Sequence, residues 1–170
     1  MNYYVSLARQ AIRSFLQSGM ILAVPDDTPE ALRHDRAAVF VSLHKNGELR
    51  GCIGTLEPTT DCVAEEVIAN AIAAATRDPR FEPMKLSELS QTDIKVDRLN
   101  TPEPATRGSL NPQKYGVIVQ SRQQRGVLLP DIEGVNTVAE QVSIAASKAG
   151  IDVTKDKYSL QRFTITRFSE

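Results

Sequence analysis

Tryptophan is absent from this chain and aromatic residues make up only 5% of it, so any folded interior has to be built from aliphatic side chains. Cysteine occurs twice, at Cys52 and Cys62; so few rarely make a disulfide framework, and although nothing forbids a bridge between them the reduced reading is favoured. Histidine also occurs twice, at His34 and His44. These four residues show none of the close pair spacings of a zinc site, and the sequence predicts neither a metal nor a cofactor. No apolar run approaches the roughly 20 residues that cross a bilayer, and no basic-then-apolar leader opens the chain. The expectation is a cytoplasmic protein without a membrane span. Neither sign of charge is in excess: 20 lysines and arginines face 21 aspartates and glutamates, for a net charge of −1. The basic stripe of a nucleic-acid binder is missing. So are a glycine-rich phosphate loop, a His-Glu-x-x-His run, a Gly-x-Ser-x-Gly elbow and a Cys-x-x-Cys pair.

What is present suits one domain of moderate size, or two small lobes on one chain of 170 residues. At about 150 residues a fold already buries roughly two-thirds of its unfolded surface, enough for a core without staples. Residues Tyr3 to Ser18 read as an amphipathic helix with Val5, Ala8, Ile12, Phe15 and Leu16 on one face, stopped by Gly19. The prolines and aspartates of 24–29 predict a loop. Ala38 to His44 and Leu49 to Leu56 read as strands joined at Asn46-Gly47, a dipeptide that supplies the positive φ angles of a tight hairpin turn. Lys45 then faces Glu48, a favourable cross-strand pair. Counting back from that turn sets His44 against Leu49, Val41 against Cys52 and Phe40 against Ile53. Arg50, Cys52 and Gly54 then share a face with Val39, Val41 and Leu43, and Leu49, Gly51 and Ile53 share the other with Phe40. Apolar residues on both faces imply a strand covered on both sides.

Asp61 to Ala75 reads as an alanine-rich helix that ends at Asp78-Pro79-Arg80-Phe81, with Pro79 biasing Asp78 away from helical angles. Ser87 to Leu89 reads as a helical turn, and Ile94 and Val96 mark a half-exposed strand. Asn100 to Asn111 is the best linker. A second hairpin pairs Gly116–Gln120 with Gly126–Leu129, with Arg122 to Arg125 in its turn. Thr137 and Glu140 form a capping box that opens a helix to Ala149, stopped by Gly150. Alternation from Phe163 to Phe168 predicts a final strand. Hairpins dominate, which favours α+β with antiparallel sheet over a doubly wound parallel sheet.

Candidate site residues cluster at two places. Gly51 and Gly54 interrupt a good strand. Such glycines mark either an opening where a ligand or another backbone approaches or tight packing against the alanine-rich helix. Cys52 between them is either a nucleophile whose pKa a nearby cation lowers, with Arg50 two residues away, or a small buried hydrophobe. In the expected register His44 lies on the opposite face, so a Cys-His pair is poorly supported. Asp78 and Arg80 form either a locally paired helix exit, with Phe81 packed in the core, or a charged pair facing a cleft. Lys148 near its helix end reads as a dipole-favoured cation before it reads as a catalytic amine.

The string Leu49-Arg50-Gly51-Cys52-Ile53-Gly54 resembles the signature hexapeptide of the AMMECR domain family. Asn70-Ala71, Ala74-Ala75, Asp78-Pro79-Arg80-Phe81, Glu88-Leu89, Ile94-Lys95-Val96, Tyr115 to Val119, Gly126 to Pro130 and Lys148-Ala149-Gly150 follow in the family's order. The resemblance runs from about Ala37 to the C-terminus and is strongest to the short prokaryotic members of the AmmeMemoRadiSam system. It departs at Val135-Asn136-Thr137, where many relatives carry a tryptophan. The resemblance implies an α+β fold of two lobes, each an antiparallel sheet with packed helices, about 1–104 plus 158–170 and about 105–157. It also implies a cleft between them faced by the hexapeptide. It further implies a binding site of Arg50, Gly51, Cys52, Ile53, Gly54, Asp78, Arg80 and Phe81, and association with a Memo-like protein and a radical SAM protein. Two function classes follow. One is an accessory component that presents a substrate to those partners. The other is an enzyme of unknown reaction using Cys52, with Arg80 or Lys148 binding an anionic substrate.

Overall fold

The computed structural model describes residues 2–170. By chain contacts these fall into two compact units, one running to Leu99 and taking in Thr166–Glu170, the other Asn100–Ile165.

The first unit opens with helix α1 (Tyr3–Ser18). The Asn2 side chain accepts the Tyr4 amide to cap it, and Gly19 closes it at φ 70, a left-handed angle that costs glycine little. A short helix α2 (Glu30–His34) follows the 24–29 loop and carries His34. Strand β1 (Val39–Lys45) and strand β2 (Glu48–Gly54) form the expected hairpin, turning at Asn46 (φ 53) and Gly47 (φ 81). Helix α3 (Val63–Thr76), a 3-10 turn at Leu86–Gln91 and strand β3 (Thr92–Leu99) complete the continuous part. Strand β8 (Ile165–Ser169) returns from the chain end, and the sheet order is β2-β1-β3-β8, which leaves β2 at an edge. One face carries Val39, Val41, Leu43, Ile94 and Val96. These pack into a single cluster with Val5, Ala8 and Ile12 of α1 and Val63, Val67 and Ala71 of α3. Burying each such large aliphatic chain stabilises by about 1.5–3 kcal/mol. The returning strand is fastened by Phe168, whose ring stacks on Tyr4 with centroids 3.9 Å apart, and by Arg167, which donates to both oxygens of Asp97.

The second unit holds strands β4 (Glu103–Ala105), β5 (Gly116–Ser121), β6 (Gln124–Leu128) and β7 (Ser159–Phe163) in the order β4-β7-β5-β6. Helix α4 (Val138–Lys148) covers one face, with Val142, Ala145 and Ala146 against Val117 and Val119. The capping box at Thr137 and Glu140 is present. Two expectations change here. The linker contains β4, and the single strand expected over Phe163–Phe168 breaks at Thr164, so its halves serve different sheets.

The hairpin register also changes. Lys45 faces Glu48 and His44 faces Leu49, as the turn dictates. Beyond that pair the ladder slips by one, and Leu43 faces Gly51, Ser42 faces Cys52 and Val41 faces Ile53. Arg50 is the extra residue of a β-bulge. Because side chains alternate, one inserted residue exchanges the faces of everything after it. Gly51 and Ile53 therefore join Val41 and Leu43 toward the helices. Cys52 and Gly54 join Phe40 and Ser42 on the opposite, half-buried face, which also carries His44.

Candidate functional site

The edge position of β2 decides how its residues are held. Gly51 looks toward α3, where a β-carbon would overlap the Ala74 carbonyl oxygen and stand 3.2 Å from the Ala74 carbonyl carbon. At Gly54 a β-carbon would overlap the Phe40 ring. The space that the two glycines vacate is thus filled by the protein's own helix and ring, not left as an opening. Ile53 packs at the margin of the hydrophobic cluster.

Arg50, released from the alternation by the bulge, donates from Nε and Nη2 to the two oxygens of Glu88 at 3.2 and 3.1 Å. Lys45 Nζ donates to the same carboxylate at 3.1 Å, and the Lys85 amide adds a bond at 2.9 Å. The Arg50 fork, then the Lys85 amide, holds the Glu88 carboxyl down at about 2, well below its ordinary range. Arg50 is therefore committed to Glu88 and does not serve as the cation for Cys52.

That position belongs to Arg80. The loop after α3 lays Asp78 against the open rim of β2. The Cys52 amide donates to Asp78 Oδ2 at 2.9 Å, and the Arg80 amide donates to Oδ1 at 3.0 Å. Arg80 closes a fork on the same carboxylate through Nε (3.0 Å) and Nη2 (2.8 Å). Nη2 also reaches the Cys52 carbonyl oxygen at 3.5 Å. Two side chains thus take the main-chain donor and acceptor of Cys52 that a neighbouring strand would otherwise use. The Arg80 guanidinium, then the Cys52 and Arg80 amides, holds Asp78 far below the usual carboxylate range despite its burial. Asp78 in turn raises the Arg80 pKa. The pair is asymmetric: the Asp78 side chain is 3% exposed and that of Arg80 56%. The Arg80 guanidinium stacks over Phe81 at 5.5 Å from the ring centre.

Cys52 and Cys62 form no disulfide, and among the described residues no group of three or more His, Cys, Asp and Glu is placed to hold a metal ion. His44 now shares a face with Cys52; its Nδ1 is buried without a hydrogen-bond partner. Burial, then the charge of Lys95, lowers the His44 pKa, which keeps the ring neutral at pH 7. Lys148 lies in the other unit, where its Nζ donates to the Val127 carbonyl at 3.2 Å.

Two anchors escape sequence reading. One is Glu88. The other is Glu66, 1% exposed on α3, which accepts hydrogen bonds from Thr55, Thr59 and Thr60 and ties the segment after β2 to the helix. Its signal is an acid four residues before Asn70 on a helix face that is otherwise apolar; Asn70 Nδ2 donates to the Val39 carbonyl at 3.1 Å.

The depressed values fix a pH response. Carboxylates whose folded pKa lies below the unfolded one contribute stability that is present above about pH 4 and lost as pH falls through the folded value. Urea unfolding midpoints at pH 7, 5, 4 and 3 will hold through pH 5 and then drop. The drop in Asp78→Asn will be shallower, and the same slope in that variant would remove Asp78 as its source.

A family model described as AMMECR1 matches residues 5–170. A relative from Clostridium acetobutylicum is 50% identical over 168 residues, which cover 98% of this chain and 36% of that one; this chain spans about a third of its length. A Thermotoga maritima relative is 48% identical and matched over 97% of this chain and 96% of its own. The crystal structure of an uncharacterised protein from Pyrococcus horikoshii has the same fold, with a TM-score of 0.89 at 31% identity over 99% of this chain and 90% of that one. No helix among the described residues is long and apolar enough to cross a membrane. The family model over residues 5–170 and these relatives show that the chain belongs to the AMMECR1 family.

Proposed function

We propose that the protein is a cytoplasmic accessory component, of the AmmeMemoRadiSam type, that holds or presents a substrate for a Memo-like and a radical SAM protein. One observation carries the non-catalytic reading. The two carboxylates gathered at β2 are both ion-paired and held ionised, Glu88 at about 2 and Asp78 below the usual range. A carboxylate that acidic is a poor proton acceptor at neutral pH. The Clostridium relative adds support, since it carries this domain within a longer chain, as expected of a module that works beside others. Multi-angle light scattering of this protein mixed with a Memo-like and a radical SAM protein, with and without S-adenosylmethionine, tests the reading. A mass increase above any single component is the expected result; three separate masses under all conditions would overturn it.

A second reading, an enzyme using Cys52, is favoured by the bulge, which moves Cys52 onto the face that carries the neutral His44. Cys52 alkylation rates against pH in the parent and in His44→Gln decide it. An ordinary thiol profile unchanged by His44→Gln removes the enzyme reading.

A further inference from the structure

The sequence singled out Asp78, Arg80 and Phe81 without assigning them a ligand, and the clamp on β2 accounts for only part of them. Asp78 is used up, because its oxygens accept two main-chain amides and the Arg80 fork. Arg80 is held by Asp78, the Cys52 carbonyl and the Phe81 ring, yet it is not covered. Nε and Nη2 face Asp78, while over half the side chain stays exposed. An arginine in this state has already lost its rotamer freedom before any partner arrives, so contact with it costs little further ordering. Arginine is also among the residue types enriched at the energetic centre of protein interfaces.

The surroundings define the partner. Between α3 and the 3-10 turn, Arg77, Arg80 and Lys85 stand against Asp78 and Glu82, three cations to two anions, and of these five only Asp78 is buried. This basic stretch lies in a chain whose net charge is −1. Leu86 begins the 3-10 turn that holds Glu88, and Leu49 precedes Arg50; each is 39% exposed. The Arg50–Glu88 fork ties the residue after Leu49 to the 3-10 turn that Leu86 opens.

We infer that the loop Arg77–Leu86 is a docking surface for an acidic segment of a partner protein, with Arg80 taking a carboxylate and Leu49 and Leu86 taking an apolar side chain. The inference rests on the accessory reading and names the surface that reading requires. The probe is a fluorescein-labelled peptide of alternating glutamate and leucine, titrated by anisotropy against the full chain, with its glutamine counterpart and inorganic phosphate as controls. The glutamate peptide will bind, and its affinity will fall about tenfold in Arg80→Met, a loss typical of an interface arginine. The double variant Arg77→Glu/Lys85→Glu leaves the Asp78 clamp intact and will lower affinity by a similar factor. Equal binding of the glutamine peptide, unchanged affinity in the double variant, or full competition by millimolar phosphate overturns the inference. Light scattering with the double variant separates the two ideas. If the parent assembles with its partners and the double variant does so equally, the surface is wrong and the accessory role stands. If the parent does not assemble at all, the role itself falls.

Discussion

Gly51→Ala will destabilise the protein by about 3 kcal/mol or more, at or beyond the upper end of ordinary overpacking. The reason is the identity of the neighbour. The added methyl would meet the Ala74 carbonyl oxygen, with Leu43 Cδ1 at 3.6 Å on the other side. A flexible side chain could rotate away, but a helix carbonyl moves only if α3 moves, and α3 is buried along Val63, Val67 and Ala71. Gly54→Ala is the informative control, because its neighbour is the half-buried Phe40 ring, whose rotamer can change. Equilibrium unfolding in urea will therefore show the larger loss for Gly51→Ala. An equal or smaller loss would mean that helix and hairpin are not in hard contact.

Glu66→Ala will cost about 3–5 kcal/mol, the range expected when several buried donors lose one acceptor together. The carboxylate accepts the amides of Thr59 (2.9 Å) and Thr60 (3.0 Å) and three threonine hydroxyls. Removing it leaves the Thr59 and Thr60 amides without their acceptor. Glu66→Gln separates charge from shape: one amide oxygen remains, but the new NH2 faces donors, and a loss of about 2 kcal/mol is expected. Burial alone would raise the Glu66 pKa, yet hydrogen bonds from Thr55, Thr60 and Thr59 outweigh it and lower the value. The Glu66 contribution is accordingly present at neutral pH and fades below about pH 4. Thermal melts of both variants at pH 7 check the order, and a Glu66→Gln protein as stable as its parent would show that the threonines find other acceptors.

Sequence reading recovered what local chemistry determines. The hairpin turn needs only Asn46-Gly47, and the start of α4 needs only Thr137 and Glu140. The limits of α1 follow from one apolar stripe and Gly19. What escaped depends on partners distant along the chain. Nothing near Arg50 announces that its carboxylate is Glu88, and nothing near Cys52 announces that its amide belongs to Asp78. The break at Thr164 is silent because alternation continues through it without glycine or proline. Asp78 and Arg80 were legible as a local pair, but the strand they close was not. They satisfy each other locally, and together they close the rim of a strand 26 residues away.

The bulge makes the hexapeptide a ruler. With Arg50 as the surplus residue, the four positions after it can each meet a different requirement: a hard stop against a helix, a thiol turned away from the helices, an aliphatic plug, a slot for a ring. Shorten the segment by one residue and every later side chain is delivered to the wrong side, isoleucine into the open and sulfur against the helix. Spacing within this stretch is therefore as binding a constraint as the residue types that occupy it.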